Sequence, residues 1–333
     1  MMRPSEQPRF AEIAGIGSYL PERVLTNAEL EVMVDTSDAW IKARTGISER
    51  RIAAPNQASS DLAAEAGSRA LADAGLSAED LDLIIVGTSS PDMVFPSTAC
   101  LTQAKLNATC PSYDLNAACT GFVYALQAGV SAIESGRADV VLVIGADALS
   151  RYVDFTDRST CVLFGDGAGA VVLRASQAAG VLGIALGSDG TGSELLKVPS
   201  GGSAMPITHE LIARKAQYIK MNGNEVFRFA VRAIPKVTRK ALELSDLSIG
   251  DIDWLIPHQA NQRILDTIEA RLGIEHERVF TNLARTGNTS AASIPLALDE
   301  LYTGGNLRHG NHLALVGFGA GLTWGAAIVR WTK

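Results

Sequence analysis

The chain has 333 residues, 47% of them hydrophobic and 20% charged, with a formal net charge of −7. That length can bury one large core or two ordinary ones; the acidic balance and the lack of a basic tract exclude a nucleic-acid footprint. The longest apolar runs, such as Leu83 to Val86 and Val140 to Ala146, are too short to span a bilayer.

The polar, proline-containing start, Met1 to Arg9, reads as a short flexible lead and has no signal-peptide core. A helix is expected over Ser60 to Ala74, where Ala and Leu recur at helical spacing, followed by a strand over Leu81 to Val86. Further strands are expected at Val140 to Ile144, Ala170 to Leu173, Trp254 to Ile256, Leu313 to Val316 and Ala326 to Val329, with another helix over Arg263 to Leu272. These are short apolar runs bounded by Gly or Pro, as for strands covered on both faces. Strands alternating with helices point to an α/β fold with mostly parallel pairing. The four cysteines, Cys100, Cys110, Cys119 and Cys161, have no Cys-x-x-Cys spacing. That argues against a zinc site or a disulfide framework and for the cytoplasm.

The chain also repeats itself. Leu76-Ser77-Ala78-Glu79-Asp80-Leu81-Asp82 resembles Leu247-Ser248-Ile249-Gly250-Asp251-Ile252-Asp253, and Val143-Ile144-Gly145-Ala146 resembles Leu315-Val316-Gly317-Phe318. Both matches lie at nearly one offset, so two similar halves are expected, 1–178 and 179–333. A repeat this long means duplicated domains rather than a solenoid, whose periods run about 20–50 residues.

Three positions invite chemistry. Cys119 follows a strand-like stretch, Ser112 to Ala117, and precedes helical Thr120-Gly121-Phe122-Val123-Tyr124. A thiol at a helix N-terminus meets unpaired N–H groups that favour the thiolate and that could hold an oxyanion; a small buried cysteine is the equal alternative. His258 leaves a strand through Pro257, where a side chain can face a crevice at the strand's carboxyl end, although a lone histidine is more often a surface or core residue. Asn288, in Gly287-Asn288-Thr289-Ser290, reads as a turn or as the N-cap of a helix over Ala291 to Leu301, with the cap preferred. Gly165-Asp166-Gly167-Ala168-Gly169-Ala170 formally fits a dinucleotide pattern, but β-like Val171-Val172-Leu173 stands where a helix should begin, so no Rossmann site is expected. Gly317-Phe318-Gly319-Ala320-Gly321 follows a strand and allows close backbone approach to a ligand, or simply a tight turn.

Taken together, these segments resemble the β-ketoacyl-[acyl-carrier-protein] synthase III family of the thiolase superfamily. The resemblance is carried by Gly15-Ile16-Gly17-Ser18-Tyr19-Leu20-Pro21, Trp40-Ile41-Lys42-Ala43-Arg44-Thr45-Gly46-Ile47, Ala118-Cys119-Thr120-Gly121-Phe122, Phe164-Gly165-Asp166-Gly167-Ala168-Gly169, Pro257-His258-Gln259-Ala260-Asn261 and Gly287-Asn288-Thr289-Ser290-Ala291-Ala292-Ser293, in that order. It implies a thiolase-like fold, with duplicated αβ halves forming a layered αβαβα core. It further implies Cys119, His258 and Asn288 as catalytic residues, with the backbone N–H groups of Cys119 and Ala320 as an oxyanion hole. Trp40, Arg44 and Arg158 would hold the adenine end of coenzyme A, Asn224 and Asn261 would line the pantetheine tunnel, and Phe318 would lie beside the site. Arg228, Arg263 and Arg271 would dock an acidic carrier protein; solvated helix faces are the even alternative. Phe95 would cap the acyl pocket of a partner subunit, which implies a homodimer and short acyl primers.

The implied activity is a decarboxylating condensation of acyl-CoA with malonyl-acyl-carrier protein through an acyl-cysteine, with no metal or cofactor, no nucleic acid and no membrane. The late glycine-rich loop lacks the second cysteine of thiolases, and Asn288 occupies the place of the elongating synthases' second histidine. A relative in secondary metabolism using another primer or nucleophile is the main alternative; a papain-like protease and a non-catalytic acyl-CoA-binding scaffold are weaker ones.

Overall fold

A computed structural model describes residues 8–333, and residues 1–7 of the expected flexible lead lie outside the described residues. Arg9, counted in that lead, is tied down instead: its guanidinium donates to the carbonyls of Ile133 and Ala138 at 3.2 Å and pairs with Asp139.

Nine strands form two sheets. The first has β1 (Phe10–Tyr19), β2 (Leu83–Gly87), β3 (Ser112–Leu115), β4 (Val140–Ala148) and β5 (Asp166–Ser176), in the order β1-β5-β4-β2-β3. The second has β6 (Val181–Ser188), β7 (Trp254–Pro257), β8 (His312–Gly319) and β9 (Thr323–Arg330), in the order β7-β8-β9-β6. Every strand expected from the sequence is present, and most are longer than their apolar runs. Pairing is not mostly parallel, however: β2–β3, β2–β4 and β7–β8 are parallel, whereas β1–β5, β4–β5, β8–β9 and β9–β6 are antiparallel. Apolar runs report burial and not direction. The turn Ala320–Leu322 is too short to be a parallel crossover, so it makes β8–β9 a hairpin.

The helices complete five layers. On the outer face of the first sheet lies α2 (Ser59–Ala74), preceded in the chain by α1 (Asp38–Thr45). Leu62, Ala63, Ala66, Ala70 and Leu71 form its buried stripe, and Gly75, at φ 67°, ends it in the left-handed conformation that favours glycine. Between the sheets lie α3 (Gly121–Glu134) and, later in the chain, α6 (Ser293–Thr303). Phe122, Leu126, Ile133, Ile294 and Leu298 fill this middle layer, against Val141, Val143 and Leu315 of the strands. On the outer face of the second sheet pack α4 (Gly223–Leu244) and α5 (Gln262–Leu272), with Ile234, Val237, Ile264 and Ile268 buried. Burying α3 between two sheets demands apolar residues around most of it, and its sequence supplies them, leaving Ser131 and Glu134 exposed. The copies of the repeat both form 3-10 turns, Ala78–Asp80 and Ile249–Asp251, each closed by a Ser–Asp capping box and followed by a parallel strand.

The middle layer is tight enough to exclude a methyl group. A Cβ on Gly145 of β4 would overlap the Ala291 carbonyl, and one on Gly169 of β5 would come within 2.7 Å of the Pro295 Cβ. Backbone stands on both sides at Gly145, so neither can swing aside. Gly145→Ala is expected to lower stability by about 1–3 kcal/mol in chemical denaturation, whereas Gly190→Ala, with open space around it, should stay within about 0.5 kcal/mol of the parent.

Candidate active site

The chain turns sharply between β3 and α3. Ala118 adopts φ 48°, a left-handed conformation costly for a residue with a Cβ, and Cys119 follows in a 3-10 turn that leads into α3. Thr323 braces this turn from the β8–β9 hairpin, its hydroxyl donating to the Ala117 carbonyl at 2.8 Å. Gly319 lets the hairpin approach, since a Cβ there would lie 2.6 Å from the Cys119 nitrogen.

His258 and Asn288 come from the other half. His258 stands just past β7, its N–H bonded to the Val316 carbonyl at 2.7 Å. Its Nδ1 lies 2.6 Å from the Ser293 hydroxyl, and its ring meets the Phe318 ring edge-on at 5.4 Å. Asn288 is not the helix cap that the sequence favours: its Oδ1 accepts the Ser290 N–H at 2.9 Å, forming a turn, and α6 begins five residues later. The main chain of Asn288 is clamped by the first half, its N–H donating to the Leu163 carbonyl at 2.8 Å and its carbonyl accepting the Gly165 N–H at 3.0 Å.

Cys119, His258 and Asn288 line one cavity of about 370 Å³, although they are only 7%, 1% and 7% exposed. Its mouth is framed by Trp40 and Arg44 of α1 and by Arg158, with the Arg158 guanidinium 5.1 Å and that of Arg44 6.0 Å from the Trp40 ring. Asn224, Asn261 and Phe318 line it as well. Asn261 also has structural duties, donating to the Arg44 carbonyl at 3.0 Å and capping α5 through the Arg263 N–H. A second cavity, of about 260 Å³, reaches Cys119 from elsewhere, past Ala118, Leu149, Phe164, Ser290 and Ala320.

Two regions of the chain match family models described as 3-oxoacyl-[acyl-carrier-protein] synthase III, residues 113–190, and the C-terminal part of the same enzyme, residues 242–331. A β-ketoacyl-[acyl-carrier-protein] synthase III of Caldanaerobacter subterraneus is 52% identical over 97% of this chain and 98% of its own length. The chain belongs to this family. Among solved structures, the synthase III of Aquifex aeolicus superimposes with a TM-score of 0.89 at 46% identity, over 96% of this chain and all of the other. The priming β-ketosynthase of the R1128 polyketide pathway gives 0.93 at 35%, over 100% and 99%. The protein is thus an acyltransferase-type condensing enzyme with the thiolase fold.

Other residues expected at a synthase III site lie outside these cavities. Arg228 and Arg271 are on the outer faces of α4 and α5, Arg228 paired with Glu225 at 2.6 Å and Arg271 donating to the Val231 carbonyl at 2.9 Å; Arg263 does reach the cavity mouth. Phe95 is 83% exposed at an apolar tip with Met93 and Val94. Among the described residues no group of three or more His, Cys, Asp or Glu is placed to hold a metal, and no helix is long and apolar enough to cross a membrane.

Sequence reading missed the supports of the synthase III site. The buried Asp147 carboxylate accepts the Ser89 N–H at 2.8 Å, the Ser90 hydroxyl at 2.7 Å and, from the other half, the Ala291 N–H at 3.1 Å. Its one signal was a charge directly after the apolar run of β4. Arg50, fully buried, donates to the carbonyls of Leu25 and Val162 and to Asn27, with burial pulling its guanidinium down to about 10.

Burial also dominates the electrostatics. It pushes the Cys119 thiol up to about 12 and pulls the His258 imidazole down to about 3. Desolvation, the largest influence on Cys119, therefore opposes the easily formed thiolate expected at a helix N-terminus. The Ser290 hydroxyl beside Cys119 is the largest opposing influence, yet it lies outside strict hydrogen-bonding geometry with any partner. A thiol raised in this direction stays protonated across the neutral range. The rate of Cys119 alkylation by iodoacetamide, followed by mass spectrometry of the peptide that carries it, is expected to climb steadily from pH 6 to pH 10; a plateau near pH 7 would contradict a buried, protonated thiol.

Proposed function

We propose that the protein catalyses the initiating condensation of fatty-acid synthesis, joining a short acyl group from acyl-CoA to malonyl-acyl-carrier protein. The observation that carries this is the position of Cys119 where two cavities meet, one with an indole and two guanidinium groups at its mouth, the other largely apolar. An adenine ring can stack on Trp40 while Arg44 and Arg158 meet phosphates, with Asn224 and Asn261 along the pantetheine; the acyl chain then fits the second cavity. Acylation forms the Sγ–acyl bond and releases CoA as a free thiol carrying the cysteine's proton. The dipole at the head of α3 stabilises the sulfur anion as the proton leaves.

In the second step malonyl-carrier protein enters by the same mouth. Loss of carbon dioxide leaves an enolate whose oxygen accepts hydrogen bonds from His258 Nε2 and Asn288 Nδ2. The enolate carbon attacks the acyl carbon, the Cys119 and Ala320 N–H groups hold the resulting oxyanion, and the carbon–sulfur bond breaks to return the thiolate, which regains a proton. Phe318, packed against His258, disfavours the charged carboxylate and so favours its departure. The residues need no cofactor for this chemistry.

Arg228, Arg263 and Arg271 give an otherwise acidic chain a local cationic face for an acidic carrier. The exposed apolar tip at Met93, Val94 and Phe95 supports a homodimer in which each Phe95 closes the partner's acyl cavity and limits primer length, and four free cysteines fit the cytoplasm. The halves 1–178 and 179–333 are then duplicated units, one bringing the nucleophile and the other His and Asn.

With acetyl-CoA and malonyl-carrier protein the enzyme is expected to make the acetoacetyl product. Cys119→Ser should show no acyl adduct by mass spectrometry. His258→Ala and Asn288→Ala should each acylate normally but lose about 100- to 1,000-fold in carbon dioxide release. Trp40→Ala should raise KM for acyl-CoA with little change in kcat. No product from acetyl-CoA, with turnover of another acyl-CoA, would move the protein to a specialised pathway such as that of the R1128 ketosynthase.

A further inference from the structure

His258 is buried and stays neutral at ordinary pH, so its ring carries one proton on one of two nitrogens. The nitrogen without it can only accept. Nδ1 faces the Ser293 hydroxyl at 2.6 Å, and the partners of that hydroxyl decide which nitrogen holds the proton. Ser293 is itself buried, and its oxygen accepts the Gln259 backbone N–H at 3.3 Å. Its single proton has two acceptors within reach, His258 Nδ1 at 2.6 Å and the Ser290 carbonyl at 2.9 Å. The Ser290 carbonyl is already satisfied by the Ser293 backbone N–H, whereas Nδ1 has no other donor among its hydrogen bonds in the structure. The contact to Nδ1 is the shorter of the two, and the Ser290 carbonyl keeps its backbone donor when the hydroxyl turns to the ring.

We infer that Ser293 is a positioning residue that donates its hydroxyl hydrogen bond to His258 Nδ1 and so holds the neutral imidazole as the Nε2–H tautomer, with its one N–H directed into the cavity. This rests on the reading of His258 as a donor to the developing enolate, and it supplies what that reading lacks: a neutral histidine can donate from Nε2 only when Nδ1 is bare. The support is rigid. The Gln259 side-chain oxygen accepts the N–H groups of Asn282 and Leu283, and its amide donates to the Pro257 carbonyl at 2.7 Å. The bond from the Gln259 backbone N–H to the Ser293 hydroxyl is what joins the strand end carrying His258 to the turn carrying Ser293. Asn288, five residues before Ser293, is oriented by the same turn through the Ser290 N–H, so one short segment sets both proposed enolate donors.

The test is to label histidine side chains with ¹⁵N in the full-length protein and assign His258 by its loss in His258→Gln. The parent is expected to show a protonated Nε2 and a bare Nδ1. Ser293→Ala should shift population to the Nδ1–H form, and Ser293→Thr, which keeps a hydroxyl on the same carbon, should restore the parent pattern. Carbon dioxide release from malonyl-carrier protein should fall about 10- to 100-fold in Ser293→Ala, with a several-fold smaller effect on acylation by acetyl-CoA. An unchanged melting temperature identifies the loss as one of positioning. Undiminished carbon dioxide release in Ser293→Ala alongside a crippled His258→Ala overturns the role of Ser293 and leaves His258 as donor, whereas a parent protonated on Nδ1 overturns both. Undiminished release in His258→Ala overturns both.

Discussion

The segment Gly287 to Ser293 is where the two halves of the molecule are made into one. It is part of the second half, yet its main chain is held by Leu163 and Gly165, by the Asp147 carboxylate and by contact with Gly145, all from the first. A buried carboxylate satisfied by several N–H and O–H donors is tolerable where an unpaired one would be prohibitive. Once that segment is fixed, the remainder follows: Asn288 projects into the cavity, Ser293 reaches His258, and α6 enters the middle layer beside α3 with Cys119 at its head.

The cost of this arrangement is electrostatic. Burying the thiol and the imidazole between two sheets shifts both toward their neutral forms, so the resting site holds little charge. A neutral imidazole and a neutral amide are suited to meeting an anion that exists only during reaction, because neither must shed a counter-ion or reorganise water when it forms. The cationic groups are kept at the mouth, Arg44 and Arg158 about the Trp40 ring, where they can meet a polyanionic substrate without disturbing the interior.

Much of this was legible from residue order and some was not. Apolar runs at Val140 and Leu313, and helical spacing from Ser60 and Arg263, located the elements because burial leaves a direct trace in composition. Strand direction left none, which is why β5 and β9 were misjudged. The segments around Cys119, His258 and Asn288 pointed to one site, and the fold brings all three to one cavity. The thiolate expected at Cys119 left burial out of account, because a helix end is legible in the local sequence while desolvation depends on how the two halves close over the thiol. Asn288 looked like a cap since Asn suits both caps and turns; only the bond from Ser290 separates them. Arg50 and Asp147 gave almost no signal, as a buried charge is recognisable only through partners that the linear order scatters.

The contact between Gly145 and the Ala291 carbonyl has an evolutionary consequence. A side chain can arise at position 145 only if the opposing backbone has already moved, so each half constrains which variants of the other survive. Chimeras that join the first half of one relative to the second half of another should be active only where both parents keep the same backbone approach at this seam. Lineages of such enzymes are then expected to diverge at the cavity mouths and outer helices, leaving the seam between the halves to change in matched pairs or not at all.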